Sequence, residues 1–119
     1  MIKTFFDLDV YRLGNDYSMK IYLLTRSFPK SETYSLTSQI VDSSRSICAN
    51  SAEGWGRRVY ENDFKKFLVY SMGSLQETKS WLHFAVQCQY ISDVDFKQLF
   101  EESEVIGSKL FKLHQNWKS

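Results

Sequence analysis

Apolar residues recur along this chain at steps of three and four residues, the spacing that places them on one face of an α-helix. Four stretches show this pattern: residues 7–28, 36–53, 63–88 and 93–117. The inward faces predicted for them are, in order, Val10, Tyr17, Ile21, Leu24 and Phe28; Leu36, Ile40, Ser43 and Ile47; Phe64, Phe67, Leu68, Ser71, Leu75, Thr78, Leu82, Ala85 and Val86; and Phe96, Leu99, Ile106, Leu110, Leu113 and Trp117. No strand pattern competes, so the sequence predicts four amphipathic helices.

Residues that start or stop helices separate the four stretches. Pro29 ends the first helix because proline lacks an amide hydrogen and disfavours helical geometry in the residue before it. The second helix is predicted to end at Gly54-Trp55-Gly56. Residues suited to capping precede the later helices: Ser35 or a nearby polar residue before the second, Asn62 or Asp63 before the third, and Ser92 before the fourth. Short connections favour antiparallel neighbours, so we predict an all-α, antiparallel up-down-up-down four-helix bundle, a single domain over residues 1–119.

The composition agrees with one folded unit. The chain has 119 residues, 43% of them hydrophobic, which is enough for one core but not two. It contains no apolar run long enough for a signal peptide or a membrane span, so we expect a cytoplasmic protein with no membrane partner. Cys48 and Cys88 lie far apart with no Cys-x-x-Cys arrangement, and we expect them to be packed thiols in a reducing compartment.

The third helix carries more apolar surface than one core needs. Tyr70, Trp81, Phe84 and Cys88 form a second stripe about 120° from the main face, since the helical period is about 3.6 residues. The first helix shows a similar excess at Leu8, Met19 and Leu23. Monomers rarely expose such patches, so we predict that the stripe is an interface between subunits. The alternative is that these large side chains only widen the core.

Two features indicate closely packed helices. The second helix is rich in small residues, namely Ser43, Ser44, Ser46, Ala49, Ser51 and Ala52. The third helix contains Gly73, which costs about 1 kcal/mol relative to alanine inside a helix. We therefore expect a close helix crossing at Gly73.

Charge is balanced overall but uneven along the chain. The formal net charge of +1 gives no bulk attraction to nucleic acid or membrane. Arg57, Arg58, Lys65 and Lys66 form the densest basic cluster, at the junction of the second and third helices, whereas Asp93, Asp95, Glu101, Glu102 and Glu104 make the fourth helix acidic. Repeated around a symmetric ring, the basic cluster can hold a phosphate backbone. Trp55 and Tyr60 stand beside it, either to stack on bases or to pack the junction.

No pattern indicates catalysis or a bound metal. His83 and His114 lack the preceding Glu of a Glu-x-x-His pair, and no glycine-rich phosphate loop or nucleophile elbow is present. We expect no metal, no cofactor and no enzymatic activity. Glu53 lies near the negative end of the second helix, where a carboxylate needs a partner; Arg57 and Arg58 are the nearest, and a ligand site is the alternative. An enzyme would need a site between subunits, with Glu53, Glu77 and the serines of the second helix as its components.

Several segments together resemble one bacterial family, the four-helix bundle proteins named for intervening sequences of 23S ribosomal RNA genes. The segments are Phe6-Asp7-Leu8, Val10-Tyr11, Phe28-Pro29, Glu32-x-Tyr34-x-Leu36-Thr37-Ser38-Gln39-Ile40, Ser46-Ile47-x-Ala49-Asn50-x-Ala52-Glu53-Gly54-x-Gly56-Arg57, Phe64-x-x-Phe67-Leu68, Gly73-Ser74-Leu75-x-Glu77 and Tyr90-Ile91. They cover nearly the whole chain. Cys48 stands where the family often has proline, and Ser51 where it often has isoleucine.

The resemblance implies an up-down bundle that assembles as a homopentamer, and it marks Asn50, Glu53, Gly54 and Gly56 as a junction motif. It implies no known reaction, because members are mostly proteins of unknown function. A related group, the accessory proteins of diversity-generating retroelements, forms basic pentamers that bind nucleic acid and a reverse transcriptase. We therefore expect a binding scaffold for structured RNA or other nucleic acid; the alternative is a protein-interaction adaptor with no nucleic-acid role.

Overall fold

Four helices account for most of the chain in a computed structural model that describes residues 1–118. They are α1 (Asp9–Thr25), α2 (Leu36–Gly56), α3 (Glu61–Gln87) and α4 (Asp93–Asn116), and short 3₁₀ turns at Phe5–Asp7 and Lys30–Glu32 precede α1 and α2. No strand occurs within residues 1–118. The predicted all-α fold is confirmed; only Ser119 of the predicted domain lies outside the described residues.

Contacts between the helices show that neighbours run antiparallel. Ion pairs join Lys20 of α1 to Glu102 of α4, and Lys79 Nζ of α3 to Glu104 Oε1 of α4 at 2.6 Å. The helices follow one another around the bundle in the order α1, α2, α3, α4, with α1 also against α4. The bundle measures 45 × 25 × 20 Å. This is the up-down-up-down arrangement that short connections predict.

The predicted inward faces form the core, except that Phe67 is only partly buried and lies at the junction instead. Tyr17, Ile40, Phe64, Leu82 and Leu110 are examples, each at most 1% exposed. The assignment of Leu8 to an outer stripe is wrong, because Leu8 is 1% exposed. It precedes α1 with extended backbone (φ −73°, ψ 127°), so the angular positions of a helix do not apply to it. Met19 and Leu23, the other two members of that excess, are about half exposed as predicted.

Helix boundaries differ from the predicted ranges by at most three residues. α1 ends at Thr25 rather than 28, because the amides of Arg26, Ser27 and Phe28 each bond the carbonyl three residues back, in a tighter turn. α2 continues to Gly56, which agrees with the predicted glycine terminus although not with a last residue at 53. Pro29 therefore follows a helix that has already ended.

The cap predicted for α2 at Ser35 or a nearby polar residue is made by the nearby Glu32 and not by Ser35 itself. Its hydroxyl donates to Glu32 Oε1 at 2.5 Å, and the same oxygen accepts the Leu36 amide hydrogen at 3.3 Å. Glu32 also accepts the Tyr90 hydroxyl at 2.9 Å, which ties the α1–α2 connection to the α3–α4 connection. The carboxylate one turn before α2 thus provides the cap in place of Ser35.

The caps predicted for the last two helices have different outcomes. Asn62 and Asp63 lie inside the first turn of α3, and Tyr60 occupies the cap position without a side-chain hydrogen bond. The cap at Ser92 is confirmed, because its hydroxyl oxygen accepts the Asp95 amide hydrogen at 3.0 Å. The α3 prediction fails because α3 begins at Glu61, two residues earlier than predicted.

Small polar side chains bring α2 and α3 together. Ser51 Oγ and Ser71 Oγ lie 3.0 Å apart, and farther along the helices Thr78 Oγ1 lies 2.8 Å from Ser43 Oγ. All four side chains are buried. The glycine at a close contact between α2 and α3 is Gly54, not Gly73 as predicted. A Cβ added at Gly73 would meet no other atom within 4 Å, because Gly73 faces outward.

Candidate functional site

The basic cluster begins where α2 ends. Arg57 Nε lies 3.6 Å from Glu53 Oε2, and the Arg57 guanidinium stands 5.0 Å from the centroid of the Phe67 ring. Both Arg57 and Glu53 are about half exposed. Glu53, at the negative end of the α2 dipole, therefore has the ion-pair partner predicted for it. The Phe67 ring of α3 makes a cation–π contact with the same guanidinium.

Arg58 completes the end of α2. Its Nη1 donates to the Trp55 carbonyl at 2.9 Å, and its guanidinium lies 4.0 Å above the Trp55 ring. The last carbonyls of a helix have no partner within the helix, so a cation bonded to one of them satisfies it. Arg58 stabilises the junction first and offers its remaining donors to solvent.

The two lysines of the cluster lie on the first turns of α3. Lys65 Nζ stands 3.9 Å from Glu61 Oε2, and the Lys65 side chain is only 25% exposed. Lys66 is exposed and forms no ion pair within residues 1–118. The structure thus brings all four predicted cations to one end of the bundle, with Lys66 the most available of them.

The aromatic residues of the junction divide into two kinds. Trp55 is 8% exposed and packs edge-on against Phe64 and Trp117 at 6.2 and 5.8 Å between ring centroids. Tyr60 is 68% exposed, beside Val59 at 76%. Trp55 is therefore a packing residue, and Tyr60 is the ring that a ligand can reach.

One member of the junction motif, Gly54, has a clear packing role. The other members of the motif are Asn50, Glu53 and Gly56. A Cβ added at Gly54 would stand 3.1 Å from the Phe64 ring and 3.4 Å from the Phe64 carbonyl oxygen. Gly56 has open space around it, and Asn50 is half-buried. Gly54 lets α3 pass close to α2, which places Phe67 beneath Arg57.

The bundle is electrically polar from end to end. The acidic residues of α4 lie toward the end opposite the junction, because α4 runs antiparallel to α3. The last turns of α4 bring Lys109 and Lys112 to the junction end. Lys109 lies 3.7 Å from Asp9, whereas Lys112 is exposed. The folded chain therefore adds cations to the predicted cluster that spacing along the sequence does not reveal.

The second apolar stripe follows the outer side of α3. Tyr70 and Phe84 are 45% and 50% exposed, Cys88 is exposed, and Trp81 is half-buried against the core. Trp81 and Phe84 pack together at 5.8 Å between ring centroids. Trp81 widens the core, as the alternative interpretation holds, but Tyr70 and Phe84 do not. These four residues are the α3 stripe below.

Two open grooves flank the bundle, and sequence spacing indicated neither. One, of about 590 Å³, lies between α2 and α3 and is lined by Leu36, Gln39, Trp81, Phe84 and Cys88, among others. The second, of about 680 Å³, lies between α1 and α4 and is called the α1–α4 groove below. Grooves depend on the tilt and spacing of neighbouring helices, which a periodic pattern does not report.

The buried hydroxyls of Ser51 and Ser71 and the buried thiol of Cys48 are not available as nucleophiles. The Ser71 hydroxyl lies 2.8 Å from the Ile47 carbonyl oxygen and contacts Ser51, and both serines are fully buried. Burial, and to a lesser extent the charge of Asp16, raises the pKa of the Cys48 thiol to about 12, so it stays protonated. Within residues 1–118 no three His, Cys, Asp or Glu side chains form a group that could hold a metal. No described helix is long and apolar enough to cross a membrane.

These features define an antiparallel four-helix bundle protein with a basic junction and an exposed aromatic stripe. The sequence model of the family described as 23S rRNA-intervening sequence protein matches residues 6–112, and the chain belongs to this family. A solved structure, described as a protein with unknown function from the S23 ribosomal protein family of Bacteroides thetaiotaomicron VPI-5482, is similar in fold. Its TM-score is 0.80 at 21% identity, covering 90% of this chain and 96% of that chain. No curated protein matches the chain.

Proposed function

We propose that this protein is a non-catalytic, homo-oligomeric scaffold, a homopentamer, that binds structured RNA or other nucleic acid through its basic junction. The observation that carries the proposal is the exposed α3 stripe. Tyr70 and Phe84 leave about half of their surfaces in solvent on one side of one helix. Large exposed aromatic side chains of this kind are typical of contacts between proteins, and a second copy of the same chain can make them.

The junction supports the nucleic-acid half of the proposal. Lys66, Lys112 and the half-exposed Arg57 lie at one end of the bundle, and Tyr60 beside them is open to stacking. One copy carries too few free cations for tight binding. A ring that repeats them around an axis increases the number of phosphates neutralised, and affinity then falls steeply with salt.

We infer a non-catalytic role from the burial and bonding of the hydroxyl, thiol and carboxylate groups that could have formed a catalytic site. The buried Ser43 and Ser51 of α2 contact α3 rather than facing solvent, and the Cys48 thiol is protonated at neutral pH. Glu53, a component of the alternative site between subunits, is paired with Arg57. Glu53 therefore serves the junction as the ion-pair partner of Arg57.

A protein-interaction adaptor is the second candidate, and one observation favours it. Two of the four cluster cations are already close to carboxylates, Arg57 to Glu53 and Lys65 to Glu61, and the whole chain has a net charge of only +1. Such pairing weakens the field that would attract nucleic acid. The α3 stripe and Tyr34, which is 94% exposed, would then bind another protein.

The first test is the mass and the ultraviolet spectrum of the purified protein at low and high salt. Light scattering should give a ring-sized particle, and absorbance near 260 nm should reveal nucleic acid that high salt releases. A clean oligomer without nucleic acid would support the adaptor, whereas a monomer would refute the scaffold.

Paired charge reversals then test the junction by fluorescence anisotropy with a labelled RNA hairpin. Arg57→Glu with Lys66→Glu should weaken binding by at least tenfold and reduce its salt dependence. Arg26→Glu with Lys30→Glu is the matched control, because it changes the net charge equally at exposed positions of the α1–α2 connection, away from the junction. Equal losses in both pairs would show that binding is not located at the junction.

A further inference from the structure

The α3 stripe and the α1–α4 groove lie on opposite sides of the bundle. The helices are arranged in the order α1, α2, α3, α4 around the core. Trp81 and Phe84 line the groove on the α2–α3 side, and the α1–α4 side is directly across the bundle from it. One molecule therefore presents two different apolar surfaces that point away from each other.

The α1–α4 groove offers apolar surface to a segment that enters it. Leu99 at its base is buried, and Leu23 and Val105 on its walls are 54% and 50% exposed. Asp95 and Glu101 line the same groove and form no ion pair within the described chain. The groove thus suits a protruding apolar side chain from a segment without carboxylates.

The same side of the bundle becomes basic toward the junction. A smaller hollow of about 390 Å³ continues between the start of α1 and the end of α4, and Lys109 and Lys112 line it. Lys109 keeps about half of its side chain in solvent, and its nearest carboxylate oxygen, on Asp9, is 3.7 Å away. A carboxylate that arrives from outside can therefore reach these cations.

The α3 side carries groups that complement those of the α1–α4 side, and they occur in the same order along the bundle axis. Phe84 protrudes with half of its surface exposed, and residues 80–88 contain no carboxylate to oppose Asp95 and Glu101. Glu77 lies two turns closer to the junction, exposed and with no ion pair within residues 1–118. The stripe side thus presents an aromatic ring and, nearer the junction, an unpaired anion.

The apolar parts of the two surfaces lie at the same height along the bundle. Lys79 meets Glu104, and α3 and α4 run antiparallel, so Phe84, five residues after Lys79, is level with Leu99, five residues before Glu104. Lys20 meets Glu102 in the same way, which places Leu23 level with Leu99 too. Two copies side by side and pointing the same way, as in a ring, would therefore bring Phe84 of one to Leu23 of the other.

In the same side-by-side placement, the charged groups of the two copies also lie close to each other. Glu77, two residues before Lys79, is level with Ile106, two residues beyond Glu104. Lys109 is three residues farther along α4, which is about 4.5 Å along the axis at about 1.5 Å per residue. Both side chains are long enough to cover that offset. The placement that puts Phe84 at the groove thus puts the free carboxylate of Glu77 within reach of Lys109.

Gly73 indicates that something approaches α3 from outside. It lies on the stripe side, one turn from Tyr70 and one turn from Glu77, and no atom of the chain would be within 4 Å of an added Cβ. Glycine inside a helix is unfavourable, and the fold of one copy gives no reason for it. A helix of a second copy that passes close to the α3 backbone supplies that reason.

We propose that the α3 stripe of one copy seats in the α1–α4 groove of a second copy. Phe84, with Trp81 beside it, contacts Leu23 at the groove, and Glu77 faces Lys109. Because the two surfaces differ, the contact is heterologous and repeats from copy to copy, and a rotation at each contact closes the repeat into the proposed ring. This inference rests on the proposed homo-oligomer and names the two halves of its interface.

Two single substitutions test the pairing by analytical ultracentrifugation. Phe84→Glu damages only the stripe and Leu23→Glu damages only the groove; the positions are 50% and 54% exposed, so the fold should survive, which far-ultraviolet circular dichroism checks. Each variant alone should be monomeric. Mixed, they should form 1:1 dimers and nothing larger, because the intact stripe of Leu23→Glu fits the intact groove of Phe84→Glu. Phe111→Glu, at a 57% exposed position on α4 outside both surfaces, should assemble as the wild type does.

The outcomes separate this inference from the proposed function. A monomeric wild type would refute the scaffold itself. An oligomeric wild type whose Leu23→Glu variant still assembles would keep the scaffold and refute the groove, pointing to stripe-to-stripe contact or another surface. A monomeric mixture of the two variants would also refute the pairing.

A charge exchange tests the facing of Glu77 and Lys109 directly. Glu77→Lys should raise the dissociation constant between copies on the order of tenfold, because like charges then meet across the contact. Adding Lys109→Glu to the same chain should restore much of the loss. Lys97→Glu is the matched second change, because Lys97 is exposed on α4 and lines neither the groove nor the hollow beside it. If Lys97→Glu restored association as much as Lys109→Glu does, the predicted contact between Glu77 and Lys109 would be contradicted.

Discussion

Gly54 of α2 and Phe67 of α3 pack so closely that a Cβ added to Gly54 would stand 2.8 Å from the Phe67 Cβ. Neither atom can move far, because one belongs to a helix backbone position and the other is the first carbon of its side chain. This contact sets the height of Phe67, and Phe67 in turn lies beneath the Arg57 guanidinium. The geometry of the basic junction therefore depends on the absence of a side chain at Gly54.

Alanine substitutions at two glycines should have opposite effects on stability. Gly54→Ala should lower the free energy of unfolding by about 1–3 kcal/mol, because the added methyl overpacks the α2–α3 contact. Gly73→Ala should raise it by about 1 kcal/mol, because the position is helical and open. Urea unfolding of both in the Phe84→Glu background removes any contribution of assembly. Effects of the same sign would contradict the assignment of the close crossing to Gly54.

The contact between Ser51 and Ser71 should appear as a coupling energy. Each single alanine substitution should cost on the order of 1 kcal/mol, because a buried hydroxyl loses a partner. The double substitution should cost less than the two singles added together, since the second loss no longer leaves an unmatched group. A double-mutant cycle by urea unfolding measures the difference. Strict additivity would show that the two hydroxyls do not interact.

The Glu32–Tyr90 hydrogen bond should make stability depend on pH at both extremes. Hydrogen bonds from Ser35 first, then from Tyr90 and the Leu36 amide, hold the pKa of Glu32 below its ordinary value of 4.5. The stabilisation is therefore complete above pH 4.5 and is lost as pH falls through the lowered value. The carboxylate raises the pKa of Tyr90 to about 12, so its contribution is lost as pH rises from about 10 through 12.

Thermal unfolding of Tyr90→Phe across pH tests this linkage. The variant should melt at a lower temperature at neutral pH, and its difference from the wild type should shrink below pH 4.5 as Glu32 protonates. Tyr22→Phe is the control, because Tyr22 is an exposed tyrosine on α1 away from this connection. A constant difference between Tyr90→Phe and wild type at all pH values would show that Glu32 does not carry the effect.

The two cysteines should differ sharply in reactivity. Cys88 is exposed at the end of α3, whereas Cys48 is buried, with Sγ 3.5 Å from the Tyr11 carbonyl and its pKa raised to about 12. In the monomeric Phe84→Glu variant, Ellman's reagent should modify one thiol quickly and the second only on unfolding. Cys88→Ser should abolish the fast phase. In the assembled wild type that phase should slow, since Cys88 belongs to the α3 stripe.

Periodic spacing predicts the helices well and their ends less well. The faces led by Tyr17, Ile40 and Phe64 all turn inward, because a buried stripe is the strongest constraint on an amphipathic helix. The predictions that fail depend on one local choice among near-equal residues. For example, α3 starts two residues before the predicted caps. For α2, where Ser35 or a nearby polar residue is predicted, the structure selects Glu32.

Part of the candidate site is also readable from the chain. Arg57, Arg58, Lys65 and Lys66 are neighbours in sequence, so their shared location follows from a single turn. The ion pair of Arg57 with Glu53 follows from their four-residue spacing on one helix. Lys112 and the α1–α4 groove are different, because they are produced by segments distant in sequence.

The sequence by itself determined four amphipathic helices, their antiparallel order and the existence of a surplus apolar stripe, because these follow from local periodicity and short connections. Only the tertiary structure decided that Gly54, not Gly73, makes the close crossing, that Leu8 is buried, and that Trp55 packs while Tyr60 stays open. Each of these depends on the distance between two segments far apart in sequence. Helical spacing predicts the direction in which a side chain points but not which residues it contacts.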